Sequence, residues 1–329
     1  MNIVILVLNG AFDTGLSAFL DAFQAANQLS SMLEGPQPSF EITLAGVRDE
    51  VRTGQGMLVP VTAASGCASP DLVLLPAPGE RMPKPLAQRL ASGEVRVAIG
   101  ALQAWSRQGA RIGAACIGSF VLAESGLLDG RQATCTWWLT PMFRERYPLV
   151  ELDARRMVVS SGRFVTAGAA LGHLDLALWV IRQASPELAA LVARYLIVDE
   201  RPAQSSYVIA DHLAHDDPLV SGFDRWARAR LAQGFRLEEA AAALATSKRT
   251  LARRLSAVVG KTPVAYVQDL RIERAVHLLR TSDLGIERIA EQVGYRDGMS
   301  LRTLLRQRLG KGVRELRGAG PGRRVFEGT

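Results

Sequence analysis

The sequence contains little of what a disulfide scaffold, a metal site or a membrane segment requires. Its 329 residues include only three cysteines and four histidines, and their spacing fits neither a disulfide framework nor a set of metal ligands. The first apolar run, Ile3 to Leu8, is too short to span a bilayer, and no Lys or Arg precedes it, so we expect a buried strand there. We therefore predict a globular cytoplasmic protein with no metal, no cofactor and no membrane contact.

Charge is divided unevenly along the chain. Residues before Gly222 include 17 basic and 21 acidic side chains, whereas residues from Gly222 onward include 22 basic and 11 acidic ones. The net charge is thus −4 in the first part and +11 in the last. A basic, helix-patterned region attached to a mildly acidic one indicates a polyanionic partner, and we expect that partner to be nucleic acid.

The first 184 residues alternate short apolar runs with segments of helical period. Strand–helix alternation is typical of a parallel sheet with helices on both faces, so we predict an α/β sandwich followed by an all-α domain. The predicted strands are 2–8, 40–46, 71–78, 95–100, 110–115 and 163–168, and the predicted helices are 15–29, 85–92, 119–128 and 170–183.

An internal repeat marks the last third of the chain. The stretches "LEEAAAALATSKRTLARRLSAVVGKTP" and "IERIAEQVGYRDGMSLRTLLRQRLGKGV" begin about 50 residues apart. Each contains a short helix pattern, a turn, an Arg-rich second helix pattern and a Gly-Lys pair. The repeat predicts two helix-turn-helix units.

The second helix of each repeat has one apolar face and one basic or polar face. Leu251 and Leu255 predict the buried side of the first copy, and Leu301 and Leu305 that of the second. Arginine reads guanine edges, while Ser, Thr and Lys more often hold phosphates; for any single arginine here, a phosphate contact or simple solvation is an equally good interpretation. The predicted DNA-binding residues are Ser247, Lys248, Arg249, Arg253, Arg254, Arg296, Met299, Ser300, Arg302, Thr303 and Arg306.

Residues from about Phe223 to Leu316 resemble the DNA-binding domain of the AraC/XylS family of transcriptional regulators, on motifs that include "SKRTLARRL" and "GKTPVAYVQDLRIERAVHLL". The resemblance implies two helix-turn-helix units flanking a linking helix at about 263–279 and entering successive major-groove segments. It also implies double-stranded promoter DNA and RNA polymerase as partners. The sequence departs from the family pattern at Leu301, Leu304 and Val313.

The first part resembles the PfpI-like branch of the class I glutamine amidotransferase-like superfamily, on "GAFDTGLSAFLDAFQAAN", "CIGSFVLAESGLLDGRQAT" and "RFVTAGAALGHLDLALWVI". With the AraC-type tail it looks like the GlxA subfamily of regulators. This resemblance implies a flavodoxin-like sandwich, a homodimer, and an effector that is an amino acid, a guanidino compound or a quaternary amine. The predicted domains are 1–184 for sensing and dimerisation, 185–219 as a helical linker, 220–318 for DNA binding and 319–329 as a flexible tail.

Cys116 stands at the strand-to-helix elbow where catalytic members of the superfamily carry a nucleophile. Such a thiol needs a histidine to accept its proton, and the resemblance puts Thr136 where that histidine would stand. An acidic support of some relatives falls on Gly15, although Asp13 is close. We read His173 as a helix residue at a packed or a polar surface and predict no catalytic residue. The predicted ligand-binding residues are Asp13, Gly15, Cys116, Ile117, Gly118, Thr136 and Trp137.

Three functions stay open at this point. The leading hypothesis is a regulator, an activator in the family's manner, whose first domain senses a nitrogenous metabolite without catalysis; Trp137 and Trp138 are either part of an aromatic cage for a cation or core residues. A second is a cysteine hydrolase or amidase fused to a DNA-binding domain. A third is a dimerisation domain that binds no effector, which a closed space around Cys116 would favour.

Overall fold

The computed structural model describes residues 1–67, 69–199, 201, 204, 217–259, 261–310 and 312–318. The chain divides into two compact units, Met1–Val208 and Ile209–Thr329. Within the described ranges, no helix is long and apolar enough to cross a membrane. Within the same ranges, no group of three or more His, Cys, Asp and Glu side chains is placed to hold a metal ion.

A seven-stranded sheet forms the centre of the first unit. Its strands are β1 (Asn2–Leu6), β2 (Glu41–Gly46), β5 (Thr62–Ala63), β6 (Leu72–Leu75), β7 (Arg111–Ala115), β10 (Val158–Ser161) and β11 (Phe164–Ala167). They lie in the order β10-β11-β7-β6-β1-β2-β5, and every pair is parallel except β10 with β11. Two small two-stranded sheets join β3 (Glu50–Arg52) to β4 (Leu58–Pro60) and β8 (Gln132–Ala133) to β9 (Glu151–Leu152).

Helices cover both faces of the seven-stranded sheet, as the sequence predicts. They are α1 (Asp13–Leu29), α2 (Pro83–Leu90), α3 (Gly93–Arg107), α4 (Gly118–Glu124), α5 (Thr140–Arg146), α6 (Gly172–Ala184) and α7 (Pro186–Tyr195). Alternate residues of β1 enter two different cores: Val4 and Leu6 pack with α2 to α5, whereas Ile3 and Ile5 pack with α1, α6 and α7. The predicted α/β sandwich is confirmed.

The predicted strand at residues 95–100 is wrong, because these residues belong to α3. Val95, Ala98 and Leu102 are buried on one side of that helix, and Ser92 caps its start by accepting a hydrogen bond from the Val95 N–H. A short apolar run does not by itself distinguish a buried strand from a buried helix face. The deciding features are the cap before the run and the apolar residues that continue beyond it.

The first unit extends past residue 184, where the sequence predicts a linker to begin. Ser185 accepts a hydrogen bond from the Leu188 N–H at 3.2 Å and caps α7, which packs against α1 and α6. Leu188 and Val192 are buried there, so burial of one apolar face makes α7 part of the first core. Much of the rest of the predicted linker, and the predicted tail 319–329, lie outside the described residues.

The second unit is helical throughout its described part. Its helices are α8 (Pro218–Arg228), α9 (Leu237–Ala243), α10 (Lys248–Val259), α11 (Pro263–Thr281), α12 (Ile286–Gln292), α13 (Gly298–Leu309) and α14 (Val313–Gly318). Helix α11 is the predicted linking helix: Tyr266 and Leu270 pack with α8 to α10, whereas Ala275 and Leu279 pack with α12 to α14. The two repeats therefore have separate cores joined by one helix.

Side-chain caps set the starts of the two Arg-rich helices. The Ser247 hydroxyl accepts a hydrogen bond from the Thr250 N–H at 3.0 Å before α10, and the Asp297 carboxylate accepts one from the Ser300 N–H at 2.7 Å before α13. Caps of this kind satisfy N–H groups that have no partner inside the helix. The predicted helix-turn-helix pattern is therefore present in both copies.

Candidate functional site

Cys116 lies in the sharp turn between β7 and α4. Its φ is 55°, a left-handed conformation that is unusual for a residue with a side chain, and its N–H donates to the Ala167 carbonyl at 2.8 Å. A Cβ on Gly118 would lie 2.6 Å from the Leu75 carbonyl oxygen, so glycine is required for the helix to start this close to β6. The strand–turn–helix elbow that the sequence predicts is present.

The Cys116 thiol is buried and protonated at neutral pH. Only 2% of the residue is exposed, and this burial raises the pKa of the thiol to about 12, against weaker lowering effects of the Ile117 N–H, the Thr136 hydroxyl and Arg81. A thiol is a nucleophile only as its thiolate. Burial therefore favours the thiol form of Cys116 over the thiolate.

His173 does not serve Cys116 as a base, because both of its ring nitrogens are used elsewhere. In the tautomer that fits its neighbours, Nδ1 donates to the Ala170 carbonyl at 2.9 Å and Nε2 accepts from the Ala77 N–H at 3.0 Å. Burial lowers the pKa of the imidazole to about 4, so the ring is neutral. It packs edge-on against Phe19 at 5.2 Å.

The His173 ring occupies the space beside Gly15. A Cβ at residue 15 would lie 2.6 Å from both Cε1 and Nε2 of His173, far inside van der Waals contact. The space beside Gly15, the position to which the resemblance assigns an acidic support, is thus filled by a neutral imidazole that belongs to α6. Gly15 itself is buried and offers no side chain to a ligand.

Asp13 carries an unpaired carboxylate oxygen at the start of α1. Its Oδ2 accepts a hydrogen bond from the Gln55 N–H at 3.0 Å, whereas Oδ1 is buried and has no hydrogen-bond partner among the described residues. Burying an acceptor without a donor costs free energy. Among the predicted ligand-binding residues, Asp13 is the one that is only half-buried.

The remaining predicted ligand-binding residues are buried around the elbow. The Thr136 hydroxyl oxygen has no hydrogen-bond partner of standard geometry among the described residues. It is nevertheless close enough to the Cys116 sulfur to lower the pKa of that thiol. Trp137 and Trp138 meet edge to face at 5.3 Å, and Trp138 packs partly against the core. The residues around Cys116 are therefore closely packed. This is the arrangement that the hypothesis of a dimerisation domain without an effector expects, and a ligand reaches the elbow only if side chains move.

The sequence analysis missed one buried polar residue close to the elbow. Gln204 is fully buried, and its side-chain nitrogen donates to the Cys135 carbonyl, next to Thr136, at 2.8 Å. Its position in a polar stretch far along the chain predicts exposure. Only the tertiary structure places Gln204 beside Cys135 and Gly168.

The first Arg-rich helix, α10, has an exposed basic face opposite Leu251 and Leu255. Lys248 pairs with Glu238 at 2.7 Å on the surface. Arg254 pairs with Asp217 at 2.5 Å, and that carboxylate is 5% exposed. Within the described residues, no carboxylate lies within 4 Å of Arg249 or Arg253, which leaves these two guanidinium groups open to a partner.

The second Arg-rich helix, α13, is exposed along the corresponding face but has acidic neighbours. Met299 is 72% exposed, and Ser300, Thr303 and Arg306 are exposed beside it. Arg302 lies 4.0 Å from Glu287, whose carboxylate also accepts a hydrogen bond from the Gly298 N–H at 2.6 Å. An open groove of about 760 Å³ runs along this face, lined by Gln268, Glu287, Tyr295, Asp297, Met299, Ser300, Arg302, Thr303, Leu304 and Gln307.

The predicted DNA-binding residues thus lie on the exposed sides of the two repeats. All eleven side chains are exposed: Ser247, Lys248, Arg249, Arg253 and Arg254 on the first repeat, and Arg296, Met299, Ser300, Arg302, Thr303 and Arg306 on the second. The structure adds the pairing that the sequence did not predict, since Lys248, Arg254 and Arg302 each have an acidic neighbour.

Two family models match the chain. Residues 1–183 match the DJ-1/PfpI family, and residues 240–319 match a helix-turn-helix domain. The first match covers the whole seven-stranded sheet with helices α1 to α5 and all but the last residue of α6, and the second covers both Arg-rich helices.

Several curated transcriptional regulators are similar to this chain in sequence. The HTH-type transcriptional regulator ArgR of Pseudomonas aeruginosa is 30% identical over 251 residues, which are 73% of this chain and 74% of ArgR. GbdR of Pseudomonas aeruginosa, an HTH-type transcriptional regulator, is 30% identical over 198 residues, 59% of this chain and 54% of GbdR. GlxA of Rhizobium meliloti, also an HTH-type transcriptional regulator, is 28% identical over 59% of this chain and 61% of GlxA. The alignment thus spans about half the length of GbdR.

Proposed function

Because the chain belongs to the DJ-1/PfpI family over its first 183 residues and to the AraC-type helix-turn-helix regulators of the GlxA kind, we propose that it is a transcription regulator. Its second unit binds double-stranded promoter DNA in a sequence-specific manner. The observation that carries this proposal is the pair of exposed Arg-rich helices, each capped and each supported by its own core on α11.

The charges on α10 make the proposal measurable. Each phosphate contact releases counterions, so the logarithm of the DNA affinity falls linearly with the logarithm of the salt concentration, with a slope of about −0.9 per contact. We expect the double variant Arg249→Ala/Arg253→Ala to weaken DNA binding. Its salt slope should be flatter than that of the wild type by the amount that up to about two phosphate contacts contribute. Fluorescence anisotropy with a promoter fragment at several salt concentrations measures both quantities.

A charge-matched control separates recognition from net charge. Arg280 is exposed near the end of α11, outside both Arg-rich helices, and Arg274 is exposed on the same helix. The variant Arg274→Ala/Arg280→Ala removes the same charge and should leave the slope closer to that of the wild type. An equal loss in the two double variants would contradict DNA binding through α10.

We also propose that the first unit senses a small nitrogenous metabolite without catalysis. The elbow lies at the carboxyl ends of parallel strands, where open α/β sheets bind ligands. One atom of the predicted ligand-binding residues, Asp13 Oδ1, is buried without a hydrogen-bond partner among the described residues, and a bound ligand would satisfy it. The protonated Cys116 and the engaged His173 argue against turnover.

A ligand screen tests the sensing proposal. Thermal unfolding of the full chain is measured with amino acids, guanidino compounds and quaternary amines. A ligand that binds only the folded state should raise the unfolding midpoint, because at a hundred times its dissociation constant it adds about 2.7 kcal/mol to the free energy of unfolding. The shift should survive in Cys116→Ala, because the sulfur takes no chemical part. A turnover that disappears in Cys116→Ala would instead establish the cysteine hydrolase.

Three further features belong to the same proposal. The regulator acts in the cytoplasm as a homodimer formed by the first unit, and it activates transcription through RNA polymerase. Sedimentation of the full chain tests the dimer, and transcription in vitro with and without the protein tests activation. A monomer that still binds paired half-sites would contradict dimerisation through the first unit.

A further inference from the structure

A small pocket beside the elbow holds the side chain of Gln204. Three oxygen atoms face the Gln204 Nε2: the Cys135 carbonyl at 2.8 Å, the Thr134 hydroxyl at 3.1 Å and the Arg156 carbonyl at 3.4 Å. The Gln204 backbone N–H donates to the Arg155 carbonyl at 2.9 Å. Gln204 is fully buried, and so is Thr134.

The pocket offers hydrogen-bond acceptors and lacks a donor for the amide oxygen. The Thr134 hydroxyl donates to the Arg156 carbonyl at 3.1 Å, so toward Gln204 it acts as an acceptor, like the two carbonyls. The Gln204 Oε1 is buried without a hydrogen-bond partner among the described residues. Rotating the amide by half a turn would place this oxygen against three acceptors, so the orientation is set.

A carboxamide is therefore an imperfect occupant. It presents two N–H bonds to three acceptors and leaves its own carbonyl unsatisfied, and an unsatisfied buried acceptor is destabilising. A primary ammonium presents three N–H bonds and has no acceptor to bury. A guanidinium terminus likewise presents only donors, whereas a quaternary ammonium presents none.

Gly168 keeps the pocket open. It follows β11 directly, and a Cβ at this position would lie 2.5 Å from both Cδ and Oε1 of Gln204. Any side chain here would fill the volume that the carboxamide occupies. The pocket thus depends on Gly168, and a substitution that adds a side chain at this position would close it.

The occupant lies on the part of the chain that leads from α7 to the second unit. Arg201, three residues earlier, pairs with the Asp175 carboxylate at 2.6 Å and also donates to the Leu171 carbonyl. Arg201 and Gln204 thus each form hydrogen bonds with other described residues of the first unit.

We propose that this pocket binds the primary nitrogen of a ligand, an ammonium or a guanidinium terminus, and that Gln204 occupies it when the ligand is absent. The proposal rests on the sensing function proposed above and narrows its effector class, since quaternary amines have no N–H to donate. Binding displaces the Gln204 carboxamide. The three oxygens take the place of water around the ligand nitrogen.

Methylammonium chloride is the probe, and tetramethylammonium chloride at equal ionic strength is its control without N–H bonds. Thermal unfolding of the full chain is followed against the concentration of each salt. In Gln204→Ala the internal competitor is gone, so methylammonium should raise the unfolding midpoint, and the apparent affinity in the wild type should be about tenfold weaker. Tetramethylammonium should raise neither midpoint.

Closing the pocket gives the matched control. In Gln204→Ala/Gly168→Ala the new methyl group occupies the site, and the methylammonium-dependent rise should disappear. The proposal is overturned if the two salts act alike, if the rise survives Gly168→Ala, or if Gln204→Ala gains no rise. Should Gln204→Ala fail to fold, Gln204→Ser is measured in its place. A metabolite that stabilises the protein without responding to Gly168→Ala would preserve the sensing function and place its site elsewhere.

Discussion

The elbow around Cys116 and the two Arg-rich helices are the regions that the family resemblance associates with function, and they differ in almost every physical respect. At the elbow the polar groups are buried, neutral and mostly engaged by the protein itself. On α10 and α13 the polar groups are exposed and charged. The exposed faces of α10 and α13 can bind a polyanion without rearrangement, whereas side chains at the elbow must move before a ligand can bind there.

This difference shows that the backbone geometry of a motif and the reactivity of its side chains are separate properties. The elbow has a left-handed cysteine and a close-packed Gly118, yet burial raises the pKa of the thiol and His173 is engaged by the Ala77 N–H. The helix-turn-helix units have both the capped helices and exposed basic side chains. Four predictions test how sharp the contrast is.

The largest expected effect concerns thiol reactivity. Raising the pKa of Cys116 from 9.0 to about 12 lowers the thiolate fraction at pH 8 by about a thousandfold. A variant in which Cys116 is the only cysteine should therefore react with iodoacetamide at least about a thousandfold more slowly than a small free thiol. A variant that keeps only the half-buried Cys67 is the control, and equal rates for the two would remove the contrast.

The next effect is the pH dependence that His173 imposes on stability. The imidazole pKa falls from 6.5 in the unfolded chain to about 4 in the folded one, so the unfolded state binds the proton first. The contribution of the neutral His173 ring to the free energy of unfolding is fully present above pH 6.5 and is lost as the pH falls toward 4. The loss amounts to about 3 kcal/mol. Urea unfolding at pH 7 and pH 4 should show this extra loss in the wild type relative to His173→Gln. Equal pH dependence in the two proteins would contradict the buried neutral ring.

A smaller effect is expected for Gly15→Ala. Alanine normally favours a helix over glycine, but the new Cβ would lie 2.6 Å from the His173 ring, so we expect a loss of about 2 kcal/mol of stability. Gly100→Ala on α3 meets nothing within 4 Å and should be neutral or stabilising. The Gly15→Ala penalty should shrink in a His173→Ala background, and a penalty that stays unchanged there would show that the two residues do not compete for space.

The smallest effect separates two neighbouring arginines on α10. Arg253 has no carboxylate within 4 Å among the described residues, whereas Arg254 is paired with the buried Asp217. Arg253→Ala should weaken DNA binding by about 1 kcal/mol and flatten the salt slope by about 0.9. Arg254→Ala should leave the slope nearly unchanged and lower the stability of the second unit. A loss of slope in Arg254→Ala as large as in Arg253→Ala would assign both arginines to the DNA.

The contrast also explains which parts of the site could be predicted. The buried and exposed faces of α10 and α13 follow from helical period, because each face repeats locally along the chain. The engagement of Arg254 by Asp217 joins residues 37 positions apart, and no local pattern contains it. The closing of the Gly15 position by His173, which lies on another helix, is equally invisible before folding.

Sequence alone determined the elements whose signals are local: the α/β alternation, the two helix-turn-helix copies and the elbow at Cys116. Each of these depends on the period of apolar residues, on capping residues or on turn residues, all of which act over a few positions. Tertiary structure decided the rest: that the Cys116 thiol is buried, and that Gln204 fills a pocket of oxygen acceptors. Burial and pairing are distances through space, and only the packed chain fixes them.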